Sequence, residues 1–369
     1  MQEPIRVLNL FCVLDRGGAE TFVMNVYRNI DRSKVQFDFL VFEGKEGAYE
    51  SEILSLGGKI YRTPALKIGN IFAYIKYLNA FFKEHKEYTI IHCHMSEIGA
   101  IAFMIAKKHR VPVRICHAHS APQNFGLKLF IRNIFKIWMN EESTDFYACG
   151  ERAGKWQYGK KPFKIIKNGI DTDKFAYNPQ IRREVRTKLG FDGYYIIGHV
   201  GRFEYPKNHE YIVKLFALLK REIPLSKLAL VGNGSTYQEI VELVNRYKLQ
   251  DDVIFMGVRN DIDQLVQAFD LFVLPSKYEG FPIALVEAQC AGLHCITSET
   301  VSTEADVTGL VKFLPIEEKN IINWVECAKN NISQRDRCGY NHKVKINGYN
   351  IADTARYLQD TYIDLFERC

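Results

Sequence analysis

The chain has 369 residues, 47% of them hydrophobic and 25% charged, with a net charge of +6. That length exceeds a single typical core and implies two domains of roughly 150–200 residues, and the composition excludes a disordered, fibrous or membrane-embedded protein. No apolar run reaches the roughly 18–20 residues of a membrane span, and MQEPIRVLNLFCVL lacks the basic region and cleavage site of a signal peptide, so a cytoplasmic location is expected.

Nine cysteines without a C-x-x-C pair read as reduced, mostly buried thiols. The charge is unevenly spread: residues 1–190 hold 30 Lys and Arg against 19 Asp and Glu, a balance of +11, and the remainder carries −5. A basic half suggests an anionic partner. No nucleic-acid recognition module is visible, so nucleic acid is not expected and an anionic membrane surface ranks higher.

In chain order, IRVLNLFCVL, VQFDFLVF, KIYRTP, YTIIHCH, VPVRICHAHS, DFYACG and FKIIKNGI read as strands. Helical patterns such as ETFVMNVYRNI and GAIAFMIAKKH separate them. After the first strand, Gly17 and Gly18 precede a helix expected near Glu20, and glycine there lets backbone approach a ligand closely. His92 and His94 end one strand, His117 and His119 the next; two-residue spacing puts each pair on one face. A zinc reading would need supporting ligand spacing that is lacking. The segment Asn124 to Asn140 is aromatic and basic, with Lys128, Arg132 and Lys136 recurring at four-residue spacing as a cationic stripe suited to an anionic membrane, or else to plain solvent.

The second half repeats the rhythm with YYIIGHVGRF, KLALVGNG, VIFMGV, DLFVLPS and LHCITSE as strands. Alternating β and α at this spacing implies parallel sheets with helices on both faces, hence an α/β protein of two Rossmann-like domains. The boundary falls between about Asn168 and Gly193, giving domains 1–180 and 181–350 and a C-terminal helical stretch, 351–369. Ligands of open α/β sheets bind beyond the carboxyl ends of the strands, where these motifs fall. Arg202 and Lys207 flank a turn after one strand and suit a diphosphate. VGNGSTY carries Gly232 and Gly234 but Tyr237 where a dinucleotide fingerprint needs its third glycine. The D-x-D pairs Asp171/Asp173 and Asp261/Asp263 read as loop and helix-start residues. In LFVLPSKYEGFPIALVEAQCAG, a strand leads through Glu279 and Gly280 into a helix carrying Glu287, with Pro282 suited to its first turn. The helix tip offers free N–H groups and partial positive charge, an anion site with a carboxylate on either side.

Glu279 and Glu287, set in EGFPIALVEA, resemble the E-x7-E signature of retaining GT-B glycosyltransferases of the family-4 type. HVGRFEYPKN resembles that family's diphosphate loop, KNGIDTDKF its inter-domain segment and LDRGGAE its glycine-rich first loop. The resemblance implies two Rossmann-like domains facing across a cleft, the C-terminal helix crossing back to the first. It implies a nucleotide-diphosphate sugar as co-substrate, UDP-sugar ahead of GDP-sugar, with no cofactor and no metal. Glu279 would hold donor-sugar hydroxyls, and Glu287 the ribose. Arg202 and Lys207 would neutralise the leaving diphosphate, with the backbone of Gly280, Phe281, Pro282 and Ile283 on phosphate. Gly17, Gly18 and Gly201 would line the donor, Gly232 the nucleotide, and Met256, Val258 and Arg259 the base. A histidine near the donor sugar would be His119 or His117. The expected reaction moves a sugar onto a hydroxyl acceptor, a lipid-linked cell-surface glycan in view of the likeness of SETVSTEADVTGLVKFLP to exopolysaccharide and capsule transferases. A GT-B sugar-nucleotide epimerase and a non-catalytic sugar-nucleotide binder are the alternatives.

Overall fold

The computed structural model describes residues 3–42, 44, 46–66, 68–120, 127–331 and 336–369, except for the side chains at 68, 127 and 128. The chain divides into two units, residues 1–169 with 351–369, and residues 170–350.

The first unit holds β1 (Ile5–Phe11), β2 (Val35–Val41), β3 (Ile60–Arg62), β4 (Ile90–Cys93), β5 (Val113–Ala118), β6 (Asp145–Ala148) and β7 (Lys164–Ile165). They form one sheet in the order β3-β2-β1-β4-β5-β6-β7, every pairing parallel. Its helices are α1 (Gly18–Asn29), α2 (Glu50–Ser55), α3 (Ile71–Glu84), α4 (Ala100–Lys108), α5 (Leu127–Glu142) and α6 (Glu151–Tyr158). All seven residues of β2, VQFDFLV, are buried, as a parallel strand covered on both faces requires.

The second unit holds β8 (Tyr195–Val200), β9 (Ser226–Val231), β10 (Val253–Phe255), β11 (Leu271–Leu274), β12 (His294–Ser298) and β13 (Val311–Leu314), again all parallel, in the order β10-β9-β8-β11-β12-β13. Its helices are α7 (Pro179–Leu189), α8 (His209–Glu222), α9 (Tyr237–Arg246), α10 (Ile262–Ala268), α11 (Ile283–Cys290), α12 (Ile321–Asn330) and α13 (Tyr340–Ile346). Helix α7 has ends dictated by local chemistry. The Asn178 side chain accepts from the N–H groups of Gln180 and Ile181, Pro179 starts the helix, and Gly190 closes it in the left-handed region at φ 65°. Strand residues Ile197, Leu228, Leu230, Leu271 and Val273 meet Val213, Phe216 and Trp324 in the core. Strand β13 lies in a stretch from which no strand was expected. It is an edge strand without a fully buried residue, so its sequence lacks the apolar run that marks the others.

The last helix, α14 (Ile351–Glu367), belongs to the first unit. Its Gln359 side chain accepts from the Asp31 N–H at 2.7 Å, and its Tyr362 hydroxyl lies 2.7 Å from His92 Nδ1. Among the described residues no helix is long and apolar enough to cross a membrane.

Candidate functional site

In the second unit the loops after neighbouring strands β8 and β11 are tied together. Lys277 N donates to Pro206 O at 2.7 Å, and the Asn208 amide to Pro275 O at 3.1 Å. Asn208 itself sits in the left-handed region at φ 57°, which turns the chain from a 3-10 turn (Tyr205–Lys207) into α8. These ties bring Lys207 Nζ to 2.5 Å from Glu279 Oε1, an oxygen that also accepts from Ser276 Oγ at 2.6 Å. One of the three ammonium donors of Lys207 is thus engaged, leaving donors for a second anion. Arg202 is exposed and forms no ion pair among the described residues.

Glycines make the rest of this edge thin. Gly201 N donates to Val231 O at 2.9 Å and Gly232 N to Gly257 O at 2.8 Å, lacing the ends of β8, β9 and β10 together. At Gly232 φ is +137°, and a Cβ there would stand 2.1 Å from Gly201 O; at Gly234 it would stand 2.4 Å from Phe203 O. Beneath Gly201 lie two buried neutral imidazoles. Burial lowers His199 to about 4 and His209 to about 2, and His199 Nδ1 donates to Val273 O at 2.8 Å.

Helix α11 begins at Ile283, and Pro282 is its N-cap (φ −80°, ψ 93°), one position before the first-turn place expected of it. The Phe281 ring is buried and stacks on Tyr349, centroids 5.3 Å apart, so this residue offers a ligand its backbone only. Val258 is exposed, Met256 N continues the sheet onto Leu230 O, and Arg259 holds Asp261 through two bonds of 2.6 and 2.8 Å. Asp171 caps its own turn by accepting from the N–H groups of Asp173 and Lys174, and Asp263 pairs with Lys174 at 3.4 Å.

In the first unit Gly17 is the N-cap of α1, which starts at Gly18, two residues before the expected position. A Cβ on Gly18 would meet nothing within 4 Å. Phe22, one turn on, lies against both His117 and His119, with ring centroids 5.5 and 5.8 Å away. His117 is fully buried, whereas His119 is half-buried. His92 and His94 join them as two hydrogen-bonded pairs, His92 to His117 at 3.2 Å and His94 to His119 at 2.9 Å. Among the described residues, His92, His94 and His117 are the group that could hold a metal ion, their nitrogens lying within 4.8 Å of one another. Each of these rings already engages a nitrogen in a hydrogen bond.

The basic stripe on α5 is corrected by the structure. Arg132 turns inward to pair with buried Glu97, its guanidinium 5.3 Å from the Trp156 ring; Lys136 donates to Trp156 O at 3.1 Å. A buried carboxylate needs a partner more than solvent needs a cation. The Lys128 side chain and residues Asn124 to Gly126 lie outside the described residues. The exposed face of α5 is apolar instead, with Phe130, Ile131, Ile137 and Trp138.

Two sequence families match the chain, "Glycosyltransferase Family 4" over residues 16–174 and "Glycosyl transferases group 1" over residues 181–343. A putative glycosyltransferase of Bacillus subtilis, EpsF, is 39% identical over 332 residues, covering 87% of this chain and 86% of that protein. The chain is a family-4 glycosyltransferase. The glycosyltransferase is also similar, at 28% identity over 76% of each chain, to an Escherichia coli protein named UDP-Gal:alpha-D-GlcNAc-diphosphoundecaprenol alpha-1,3-galactosyltransferase. Its fold is that of the Anabaena protein HepE in complex with UDP, with a TM-score of 0.78 at 18% identity, covering 97% of this chain and all of that one. The architecture is therefore GT-B, two parallel-sheet Rossmann-like units.

The glycosyltransferase keeps its second signature carboxylate in an unusual state. Burial, and then the charge of Asp263, raise Glu287 to about 7, with Lys174 opposing. Ser276, Asp263 and Lys174, which surround the two signature carboxylates, carry no signal in the sequence beyond their proximity to the motifs. Unfolded, Glu287 would ionise near its ordinary 4.5. Between those values the unfolded state loses its proton first, so folding weakens as pH rises from about 4.5 to about 7 and stays weakened above. Replacing Glu287 by Gln removes that loss. The variant should gain stability relative to wild type on going from pH 5 to pH 8, by up to about 3 kcal/mol, measured by urea unfolding at both values. A difference that does not change with pH would show that Glu287 titrates normally.

Proposed function

We propose that this enzyme is a metal-independent, retaining glycosyltransferase that moves a sugar from a nucleotide-diphosphate sugar to a hydroxyl acceptor. The observation that carries the reading is Lys207 held against Glu279 at the N-terminus of α11. That pairing gathers a cation, a carboxylate and free helix N–H groups at one strand edge. The sugar hydroxyls would donate to Glu279 and the ribose hydroxyls to Glu287. Lys207, Arg202 and the helix tip would bind the diphosphate and stabilise the negative charge that grows on it as the bond from the anomeric carbon breaks. The acceptor hydroxyl would attack from the face the diphosphate leaves and give its proton to the departing phosphate oxygen. In the first unit, Gly18 leaves open space, and His119 rather than fully buried His117 is the histidine with exposed surface to meet the sugar. UDP is the favoured nucleotide, in keeping with the UDP of the HepE complex and the UDP-Gal in the name of the E. coli relative. That relative's name also supports a lipid-linked glycan acceptor in cell-surface polysaccharide assembly. Turnover of a panel of UDP- and GDP-sugars tests the donor class.

Glu279→Gln keeps the shape and removes the charge. A lost contact of this kind is worth about 2–4 kcal/mol, so transfer should fall roughly 30- to 1000-fold while the melting temperature holds. Transfer within threefold of wild type would remove Glu279 from the site.

Transfer should also continue in EDTA at an undiminished rate, since Lys207, Arg202 and the α11 tip would supply the positive charge that a metal otherwise brings. Strict loss that magnesium or manganese restores would refute metal independence.

Attachment to anionic membrane, on the cytoplasmic face, would run through the apolar face of α5 backed by the +11 balance of residues 1–190. Buried aromatic side chains add about 1.5–3 kcal/mol each, and the attraction of the basic half decays over a Debye length of about 8 Å. Co-sedimentation with anionic vesicles should therefore weaken at high salt and at least tenfold in a Phe130→Glu/Trp138→Glu variant. Equal binding by that variant would place the contact elsewhere.

A further inference from the structure

The two loops of the second unit that carry Lys207 and Glu279 exchange lysines. From the loop after β8, Lys207 reaches Glu279; from the loop after β11, Lys277 reaches back to Tyr205, its ammonium 3.6 Å from the centre of the ring. Tyr205 is 66% exposed and its hydroxyl makes no hydrogen bond among the described residues. What the ring offers is the negative face of its π-system, and the ammonium takes it. The β11 loop is also held from its other side, where Ser276 O accepts from the hydroxyls of Ser298 and, at 2.7 Å, Thr300. Together with the bond from Lys277 N to Pro206 O, this fixes the chain as far as Lys277. Beyond it, no backbone hydrogen bond holds Tyr278, Glu279 or Gly280 among the described residues. The place of Glu279 therefore depends on side-chain contacts, and Lys277 is the last fixed point before it.

We propose that Tyr205 and Lys277 are positioning residues, a cation–π clasp that sets the point at which Lys207 meets Glu279. The proposal rests on the reading above that this pair serves the sugar and the diphosphate. Tyr205 stands two residues before Lys207, and Lys277 two before Glu279, so neither loop can shift without carrying the other. Glu279 Oε1 is thereby kept on Lys207 and Ser276, while no hydrogen bond from the described residues reaches Oε2, which is left for the donor sugar. The clasp touches neither the ribose carboxylate Glu287 nor Arg202, so its loss acts on the transfer step and leaves donor binding in place.

The contact itself is read without any substrate, from the ring-current shift of the Lys277 ε-methylene in full-length, 13C-lysine-labelled protein, assigned by its loss in Lys277→Met. The shift should be present in wild type and Tyr205→Phe and absent in Tyr205→Leu; its absence from wild type would overturn the clasp. With the UDP- or GDP-sugar that the enzyme turns over, Tyr205→Phe and Tyr205→Trp should keep the wild-type kcat. Tyr205→Leu should lower kcat about two- to fivefold at an unchanged donor KM and melting temperature. Lys277→Met should do the same, and the double variant should be no slower than either single one, because both remove one interaction. In a Glu279→Gln background Tyr205→Leu should cost nothing more. Equal kcat for Leu and Phe at position 205, or losses that multiply in the double variant, would refute the coupling. A raised donor KM in Lys277→Met alone would make Lys277 a ligand of the donor instead. Full transfer by Glu279→Gln would remove the reading on which the proposal rests, whatever the ring series shows.

Discussion

Parallel pairing is the constraint on which the rest depends. A parallel strand can be re-entered only from its starting end, so each connection crosses a face of the sheet and every carboxyl end lies along one edge. In the second unit that edge collects the loops after β8, β9, β10 and β11; in the first it collects Gly17, His94 and His119. Each candidate binding residue stands at such an edge because the rest of the sheet is sealed between helices. Burial of Leu228, Leu230, Leu271 and Val273 holds the sheet; the edge is where polar groups remain available.

At that edge, close approach of backbone does as much as side-chain chemistry. Gly232 and Gly201 nearly touch, and any Cβ at position 232 would strike a carbonyl. The loops are consequently thin, with peptide N–H groups near the surface and rigid supports below. Those supports are neutral imidazoles. Water is excluded from His199 and His209, so charge on them is costly and both rings stay neutral. Neutral groups below and cations above leave the positive field of the site to Lys207, Arg202 and the α11 tip.

Much of this was legible because local rules and tertiary demands agree. Strands such as VQFDFLV announce burial on both faces, and Asn178-Pro179 with Gly190 mark both ends of α7. Where they diverge, the pattern misleads. Strand β13 is too exposed to read as apolar. The residues Lys128, Arg132 and Lys136 look by spacing like an exposed cationic stripe, for a membrane or for solvent, yet Arg132 answers the buried charge of Glu97, thirty-five residues away. Spacing records which residues share a helix face, not which neighbour the other elements bring to that face.

By itself, the sequence determined the two α/β blocks, the parallel order of elements and the motifs proposed to carry glycosyl transfer, because each of these is written in short-range periodicity and contiguous segments. Only the tertiary structure decided that Lys207 meets Glu279, 72 residues on, that Asp263 helps raise Glu287, and that Lys277 lies on the Tyr205 ring. Those contacts depend on which strands are neighbours in a sheet and on how far burial suppresses charge. Both are set by the packing of distant segments, which no local spacing encodes.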